Sequence, residues 1–201
     1  MPSPARRNTV RLAMAPEGWV YRPDLIGPEE ELDLIRRIEP LPLEEFEFRG
    51  HLGRRRTVSF GWRYDFSGRG LQPADELPDF LRELRHKAAA FAQLREEDLT
   101  QTTIIEYMPG AAIGWHRDRP VFGDVVGFSL LSECVFRFRR KSGPGWERYS
   151  MTPGPRSAYL LRGPARTEWE HSIPGVAALR YAITFRSLRP DPAERSRPRR
   201  R

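Results

Sequence analysis

The chain has 201 residues, of which 39% are apolar and 30% are charged, so it can bury one core and is too apolar to be disordered throughout. Its only cysteine, Cys134, excludes an internal disulfide and a zinc cluster of several thiolates, which favours a reducing compartment. The sequence also lacks a long uncharged apolar run and an apolar signal segment, so we expect a soluble, cytoplasmic protein with no membrane partner.

The net charge of +7 lies entirely in the two ends of the chain. Residues 1–15 contain three arginines and no acid, and residues 189–201 contain six arginines against two acids. Neither end has apolar periodicity, so we predict disordered basic tails around a single domain at residues 16–188. Within that domain, residues 49–69 carry six arginines against Asp65 and form a candidate phosphate-facing surface.

Two amphipathic helices are predicted in the first half of the chain, one beginning at Pro28 and one at Pro78. Between them, the segment 55–66 alternates apolar and polar residues. This alternation predicts strands that extend a sheet or form a flap over its mouth. The alternating apolar residues are Val58, Phe60, Trp62, Tyr64 and Phe66.

From Thr102 onward, short runs rich in β-branched and aromatic residues are separated by Gly and Pro. Regularly spaced short strands are typical of a sandwich or jelly roll. We therefore expect a mainly β, α+β fold in which helices from the amino-terminal part of the chain flank the β core. The predicted strands cover residues 102–107, 125–131, 134–140, 157–161 and 179–186.

His116 and Asp118 lie two residues apart in the segment GWHRDR, and His171 follows much later in the chain. In a strand or its extended exit, residues at this spacing project to the same side and can bind one ion. Taken alone, such a pair also occurs in hydrogen-bonded turns. Two imidazoles and one carboxylate are a ligand set of non-haem iron(II) that leaves positions open for a co-substrate and dioxygen. These three residues are the candidate metal-binding and catalytic residues.

The last predicted strand reads RYAITFR and places Arg180, Thr184 and Arg186 on one face. One interpretation is an edge strand with solvated arginines. The other starts from the separation of the two arginines, about 20 Å along a strand, from which their side chains can lean inward and bracket a short dicarboxylate. Guanidinium groups bind carboxylates through two parallel hydrogen bonds and stay charged when desolvated.

Together, these segments resemble an AlkB-type iron(II)- and 2-oxoglutarate-dependent dioxygenase. The resemblance is carried, in the order found in that family, by YMPGAAIGWHRD at residues 107–118, GPARTEWEH at residues 163–171 and the strand 180–186. It implies a double-stranded β-helix core, also called a jelly roll, that uses Fe(II), 2-oxoglutarate and O2. The iron would bind to His116, Asp118 and His171.

The same resemblance implies the contacts of the co-substrate. Arg180 would bind the distal carboxylate of 2-oxoglutarate and Arg186 would lie near its ketoacid end, with a further contact from Tyr107. Arg166 would line the mouth of the pocket. The chain departs from the family at Ile105 and Ala182, where a side-chain hydrogen bond to the co-substrate is often available, and Thr184 is the candidate to replace it.

A substrate follows from the resemblance as well. AlkB-type enzymes hydroxylate N-alkyl groups of bases in DNA or RNA, and the product of an N-methyl group loses formaldehyde. Trp62 and Tyr64 fall where these proteins carry a nucleotide-recognition flap and are candidates to stack on an extruded base, unless they are core residues. The adjacent Arg54, Arg55 and Arg56 can neutralise phosphates or form a solvated loop, and the segment 136–141, with its alternating arginines, is equally ambiguous.

Three functions remain open from the sequence. The first is oxidative demethylation of N-alkylated bases in single-stranded or locally melted nucleic acid. The second is an oxygenase of the same fold that acts on methylated protein side chains or a small molecule. The third is a catalytically silent nucleic-acid-binding module. No obligate protein partner is inferred.

Overall fold

The computed structural model describes residues 11–12, 14–48, 51–65 and 67–189. Its strands are β1 (Arg11–Leu12), β2 (Trp19–Arg22), β3 (Glu44–Phe48), β4 (His51–Phe60), β5 (Trp62–Asp65), β6 (Gly70–Pro73), β7 (Leu99–Tyr107), β8 (Ile113–His116), β9 (Phe122–Leu130), β10 (Phe136–Ser142), β11 (Gly145–Met151), β12 (Ser157–Leu161), β13 (Glu170–Ile173) and β14 (Arg180–Leu188). Its helices are α1 (Pro28–Ile38), α2 (Arg82–Ala92) and α3 (Gly163–Thr167), and short 3-10 turns precede and follow α2 at Asp79–Leu81 and Glu96–Asp98.

The strands form two sheets and a separate hairpin. The large sheet has the order β2-β12-β9-β14-β7-β4-β3, the small sheet has the order β1-β11-β10-β13-β8, and β5 pairs with β6. Within the described residues, all pairings are antiparallel except that of β1 with β11. The expected mainly β fold is confirmed.

Two apolar clusters cover the two faces of the large sheet. One packs the large sheet against the small sheet and includes Phe136, Phe138 and Tyr159. The other packs its opposite face against α1 and α2 and includes Ile38 and Leu84. Because both faces of the central strands are covered, the side chains of β9 and β12 are buried along most of each strand and do not alternate between buried and exposed.

The helix at Pro28 is confirmed, with three glutamates in its first turn and two arginines in its last, as the helix dipole favours. The helix expected at Pro78 begins four residues later, because the chain first forms a 3-10 turn. None of the described helices is long and apolar enough to cross a membrane.

The predicted strand region 55–66 is divided by a glycine. Gly61 has a positive φ of 72°, and a Cβ at that position would collide with the carbonyl oxygen of Thr100. β4 therefore extends the large sheet, and the chain then leaves that sheet and forms the separate β5–β6 hairpin. Phe66 lies outside the described residues.

Other boundaries differ from the sequence predictions. The strand expected at residues 134–140 is β10, shifted by two residues, and its partner β11 was not predicted. Within the predicted amino-terminal tail, Arg11 and Leu12 pair with β11, whereas residues 1–10 lie outside the described residues. At the other end, the amide of Arg189 donates to the carbonyl of Val121 at 2.8 Å, and residues 190–201 also lie outside the described residues.

Candidate metal centre and co-substrate pocket

The three candidate metal ligands meet at one edge of the small sheet. His116 ends β8 and lies directly opposite His171 in the antiparallel pairing with β13, and Asp118 follows in the loop after β8. The two imidazole centroids are 4.3 Å apart. One ligand atom from each of the three residues lies within 4.8 Å of the others, so the group can hold a single metal ion.

A backbone contact orients the first imidazole. Nδ1 of His116 lies 2.9 Å from the carbonyl oxygen of Gly114, a distance at which a proton on Nδ1 is donated to that oxygen. In the neutral tautomer that makes this bond, the lone pair of Nε2 is directed towards the metal site, where Oδ1 of Asp118 lies 3.9 Å away. Such contacts behind a ligand fix its tautomer and the direction of its lone pair.

The surroundings of Asp118 and His171 favour the protonation states in which these two residues can bind a cation. Burial alone would raise the pKa of Asp118, but the positive charges nearby, that of Arg186 above all, outweigh it and keep that pKa well below its usual range. Burial lowers the pKa of His171 to about 3, and His116 adds to the effect. The carboxylate is therefore ionised and the imidazole neutral at physiological pH, as metal binding demands.

Arg180 lies fully buried between the sheets. Its Nε donates to Oγ of Ser129 at 3.1 Å, and its guanidinium carbon lies 5.0 Å from the centre of the Tyr107 ring. Its two terminal nitrogens, Nη1 and Nη2, have no hydrogen-bond partner among the described residues. A buried guanidinium with two such donors fits a carboxylate that binds through two parallel hydrogen bonds.

Arg186 connects the far end of the same strand to the metal ligands. Its Nε lies 3.7 Å from Oδ2 of Asp118, and its Nη1 donates to Gln101 and to Thr184 at 2.9 and 2.8 Å. The hydroxyl of Thr184 in turn donates to the carbonyl of Thr103 at 3.2 Å. Thr184 therefore braces Arg186 within the strand.

The two departures from the family pattern lie opposite each other. Ala182 pairs with Ile105 across β14 and β7, and both belong to the apolar cluster between the sheets. The surface between Arg180 and Arg186, which we call the apolar floor, is therefore lined by apolar side chains at these two positions.

The β5–β6 hairpin reaches the rim of the metal centre. The guanidinium of Arg119, the residue after Asp118, lies 4.8 Å from the centre of the Tyr64 ring. Trp62 lies two residues before Tyr64 on the same strand and so projects to the same side. Both predicted stacking residues are therefore on a hairpin that contacts the metal-binding loop.

The three consecutive arginines of β4 have different surroundings. Arg56 donates to both carboxylate oxygens of Glu106 at 2.7 and 2.9 Å, on the face of the sheet opposite to Tyr107. Arg55 is half-buried beside Tyr107 in the neighbouring strand. Arg54 is exposed, and its guanidinium approaches Gly110.

Arg166, expected at the pocket mouth, is buried. Its Nη2 donates to the carbonyl oxygens of Arg119 and Phe122 at 2.6 and 2.9 Å. These two bonds tie α3 to the loop that follows Asp118. In this structure Arg166 therefore stabilises the metal-binding loop through hydrogen bonds to backbone carbonyls.

Two residues of the site were not identified from the sequence. Ser129, which orients Arg180, is a fully buried hydroxyl between the apolar residues Phe128 and Leu130, and that contrast was the available signal. Arg119, which contacts the hairpin, gave no comparable signal because an arginine in a loop is usually solvated.

A jelly roll with two histidines and one carboxylate at one edge, and a buried arginine beside them, defines the class of non-haem iron oxygenases. Residues 18–186 match the family described as the 2OG-Fe(II) oxygenase superfamily, and the chain belongs to that superfamily. It is an Fe(II)- and 2-oxoglutarate-dependent dioxygenase of the AlkB type, with Fe(II), 2-oxoglutarate and O2 as cofactor and co-substrates.

The relatives agree with this placement. The "Alkylated DNA repair protein ALKBH8 homolog" of Arabidopsis thaliana is 26% identical over 181 residues, which cover 78% of this chain and 51% of that protein. The mitochondrial "Alpha-ketoglutarate-dependent dioxygenase alkB homolog 7" of Bos taurus is 29% identical over 167 residues, which cover 81% of this chain and 70% of that protein. The solved structure of OsALKBH1 superposes with a TM-score of 0.60 at 16% identity and covers 89% of this chain and 100% of that chain. This chain thus spans about half the length of the Arabidopsis relative.

Proposed function

We propose that this dioxygenase removes N-alkyl groups from bases of single-stranded or locally melted DNA or RNA, in repair or modification of the nucleic acid. The observation that carries the proposal is the contact between the β5–β6 hairpin and the loop that follows Asp118, in which Arg119 lies over the ring of Tyr64. Trp62 lies on the same strand and projects to the same side as Tyr64. An extruded base is held by stacking between aromatic or apolar side chains, and the two aromatic residues of this hairpin would supply them.

The proposal assigns the iron to His116, Asp118 and His171, whose ligand atoms already lie within 4.8 Å of one another. An iron held there, together with 2-oxoglutarate and dioxygen, would supply the oxidising power for hydroxylation of the alkyl carbon, with succinate and carbon dioxide as the other products. On an N-methyl group, the hydroxylated product releases formaldehyde. The protein contributes orientation of the ligands and a dry, shaped pocket.

The co-substrate is assigned to the pocket between the sheets. Arg180 would bind one carboxylate through its two unpartnered nitrogens, and the ring of Tyr107 packs on its guanidinium. Arg186, braced by Thr184, would stabilise negative charge near the iron, since it already lies 3.7 Å from the Asp118 carboxylate. A guanidinium group stays charged in a desolvated site more reliably than the amine of a lysine does.

Phosphate contacts are proposed for the arginines of β4. Arg54 is exposed and Arg55 half-buried on the strand that leads into the hairpin, where they can meet the backbone of a bound strand. Arg56 is already held by Glu106 in two hydrogen bonds. That pairing favours the second candidate function, an oxygenase of the same family acting on a methylated protein side chain or a small molecule, because it withdraws one predicted phosphate contact.

A cytoplasmic location belongs to the same proposal. It is supported by Cys134, a buried free thiol of the kind that a reducing compartment preserves.

The test is anaerobic loading with iron(II) and 2-oxoglutarate, followed by admission of air with methylated or unmethylated single-stranded oligonucleotides. We expect formaldehyde only with the methylated strand, together with succinate. Succinate without strand-dependent formaldehyde would refute the nucleic-acid substrate and direct the search to methylated peptides and small molecules. The His116→Ala variant serves as the background for both products.

A further inference from the structure

The outer face of the small sheet carries an alternating series of indoles and cations. Its members are Trp115 on β8, Arg137, Arg139 and Lys141 on β10, and Trp146 and Arg148 on β11, and we call this surface the outer ladder. The residues alternate with inward-facing ones, since Phe138 and His171 between them belong to the core side. The ladder is therefore the reverse side of the sheet that carries the two metal-binding histidines.

The flat groups of the ladder stack in sequence. The guanidinium of Arg139 lies 4.5 Å from the ring centre of Trp115 and 4.5 Å from that of Trp146. Arg137 lies 5.1 Å from the Trp115 ring, and the Lys141 amine lies 5.2 Å from the Trp146 ring. These contacts hold the side chains in place before any ligand arrives, which lowers the entropy lost on binding.

Positive charge accumulates on this face beyond what its partners neutralise. Arg139 is directly opposite Arg148 in the β10–β11 pairing, and like charges in that position destabilise a sheet. Among the residues that β8, β10, β11 and β13 place on this face, Glu170 is the one acid, against four cations, and it accepts from Arg139 at 2.6 Å. A polyanion would relieve this repulsion.

The ladder also begins at the metal centre. Trp115 immediately precedes His116, and β8 is the edge strand of the small sheet. From β8 the ladder crosses β13 and β10 to β11, a distance of roughly 14 Å at about 4.8 Å per strand. A chain that leaves the metal centre around the β8 edge would therefore meet Trp115 first and Trp146 last.

From this arrangement we propose that the outer ladder binds the single-stranded nucleic acid that flanks the target base, a step that rests on the proposed function. Alternating aromatic rings and cations along a groove are how proteins hold single strands without reading their sequence, because every base has a stacking face and every phosphate a charge. The ladder gives the enzyme length-dependent affinity for its substrate, whereas the hairpin acts on the target base alone.

The experiment compares a methylated trinucleotide with a methylated single-stranded 12-mer, using the full-length, metal-loaded protein. Trp146→Ala should weaken binding of the 12-mer roughly five- to ten-fold and leave the trinucleotide unchanged, because it removes one stacking face. Trp146→Phe keeps a ring and should restore most of the affinity. Arg148→Gln should reduce the dependence of 12-mer binding on salt by about 0.7 in the log–log slope.

Arg37→Gln is the matched control, because it removes one exposed arginine from α1, on the other side of the large sheet. Succinate formed without substrate should be the same in all four variants. If the wild type releases formaldehyde from the 12-mer but the ladder variants bind it as tightly, the ladder is overturned while the proposed function stands. If the wild type binds neither oligonucleotide, both are overturned.

One further outcome would reassign the surface. Binding of vesicles that contain an anionic phospholipid, lost in Trp146→Ala while affinity for the 12-mer is unchanged, would overturn the nucleic-acid assignment and identify the ladder as a membrane-facing surface.

Discussion

Substitution of Arg180 by lysine tests the co-substrate pocket most directly. Lysine keeps the positive charge but loses the two parallel donors, Nη1 and Nη2, and the bond from Nε to Ser129. A hydrogen bond to a charged group contributes about 1.5–3 kcal/mol, and the lysine amine can replace one of the two to the carboxylate. We therefore expect the 2-oxoglutarate concentration for half-maximal turnover to rise by roughly ten- to one-hundred-fold.

Ser129→Ala is the graded companion of that variant. It leaves the guanidinium intact and removes only the acceptor that orients Nε, a contribution of about 1 kcal/mol, so the expected rise in the 2-oxoglutarate requirement is about five-fold. Both variants are measured by succinate production against 2-oxoglutarate at saturating iron(II). Iron affinity is determined separately as the control, because it is Arg186, six residues along the strand, that contacts Asp118.

The order of the two effects decides whether this reasoning holds. An Arg180→Lys enzyme whose 2-oxoglutarate requirement stayed within about two-fold of the wild type would refute the role of the guanidinium fork. A larger effect from Ser129→Ala than from Arg180→Lys would instead make Ser129 the direct ligand of the co-substrate.

Four other substitutions test the rest of the site. His116→Ala should abolish iron-dependent succinate formation with an unchanged circular dichroism spectrum, and residual turnover would contradict the ligand assignment. Tyr64→Ala should raise the KM for a methylated oligonucleotide roughly five- to ten-fold without altering succinate formed in its absence, and an unchanged KM would remove Tyr64 from the flap. Arg166→Met removes the hydrogen bonds to the carbonyls of Arg119 and Phe122, next to Asp118, and should weaken iron binding about ten-fold, as measured by metal titration. The pKa of His171 is about 3 in the folded protein and 6.5 in the unfolded chain, so the unfolded chain binds more protons between these values. The free energy of unfolding of the metal-free protein should therefore fall between pH 6.5 and 4.5 by about 2–3 kcal/mol more than that of His171→Asn. Equal shifts of the urea midpoint in the two proteins would refute this.

Much of the site could be predicted because strand periodicity fixes which side chains share a face. The spacing of Arg180, Thr184 and Arg186 placed them together, and β14 pairs in register with β7 and β9 over that stretch. The pair His116 and Asp118 required only an extended exit from β8. The family resemblance supplied the remaining link to His171, because no local pattern reports which strand lies opposite β8.

What could not be predicted are the partners of long cationic side chains. Arg56 reads as part of a solvated basic run, yet it bonds Glu106, 50 residues away. Arg166 reads as a pocket-mouth residue, yet it binds the carbonyl of Arg119, 47 residues away. An arginine can reach any acceptor within several ångströms of its strand or helix, so its partner is set by the tertiary packing and not by its neighbours in sequence.

The apolar floor between the two arginines bears on the departures from the family pattern. Ala182 and Ile105 lack the side-chain donors often found there, which suggests a weakened pocket when only hydrogen bonds are counted. However, 2-oxoglutarate is charged at its ends and has two methylene groups between them, each of which gains about 0.8 kcal/mol when it is buried against apolar surface. A hydrogen bond to a neutral side chain contributes a similar net amount, about 0.5–1.5 kcal/mol. A pocket with cationic ends and an apolar centre therefore matches the polarity of this co-substrate. The two departures replace hydrogen bonds by apolar contacts, with little change expected in the affinity for 2-oxoglutarate.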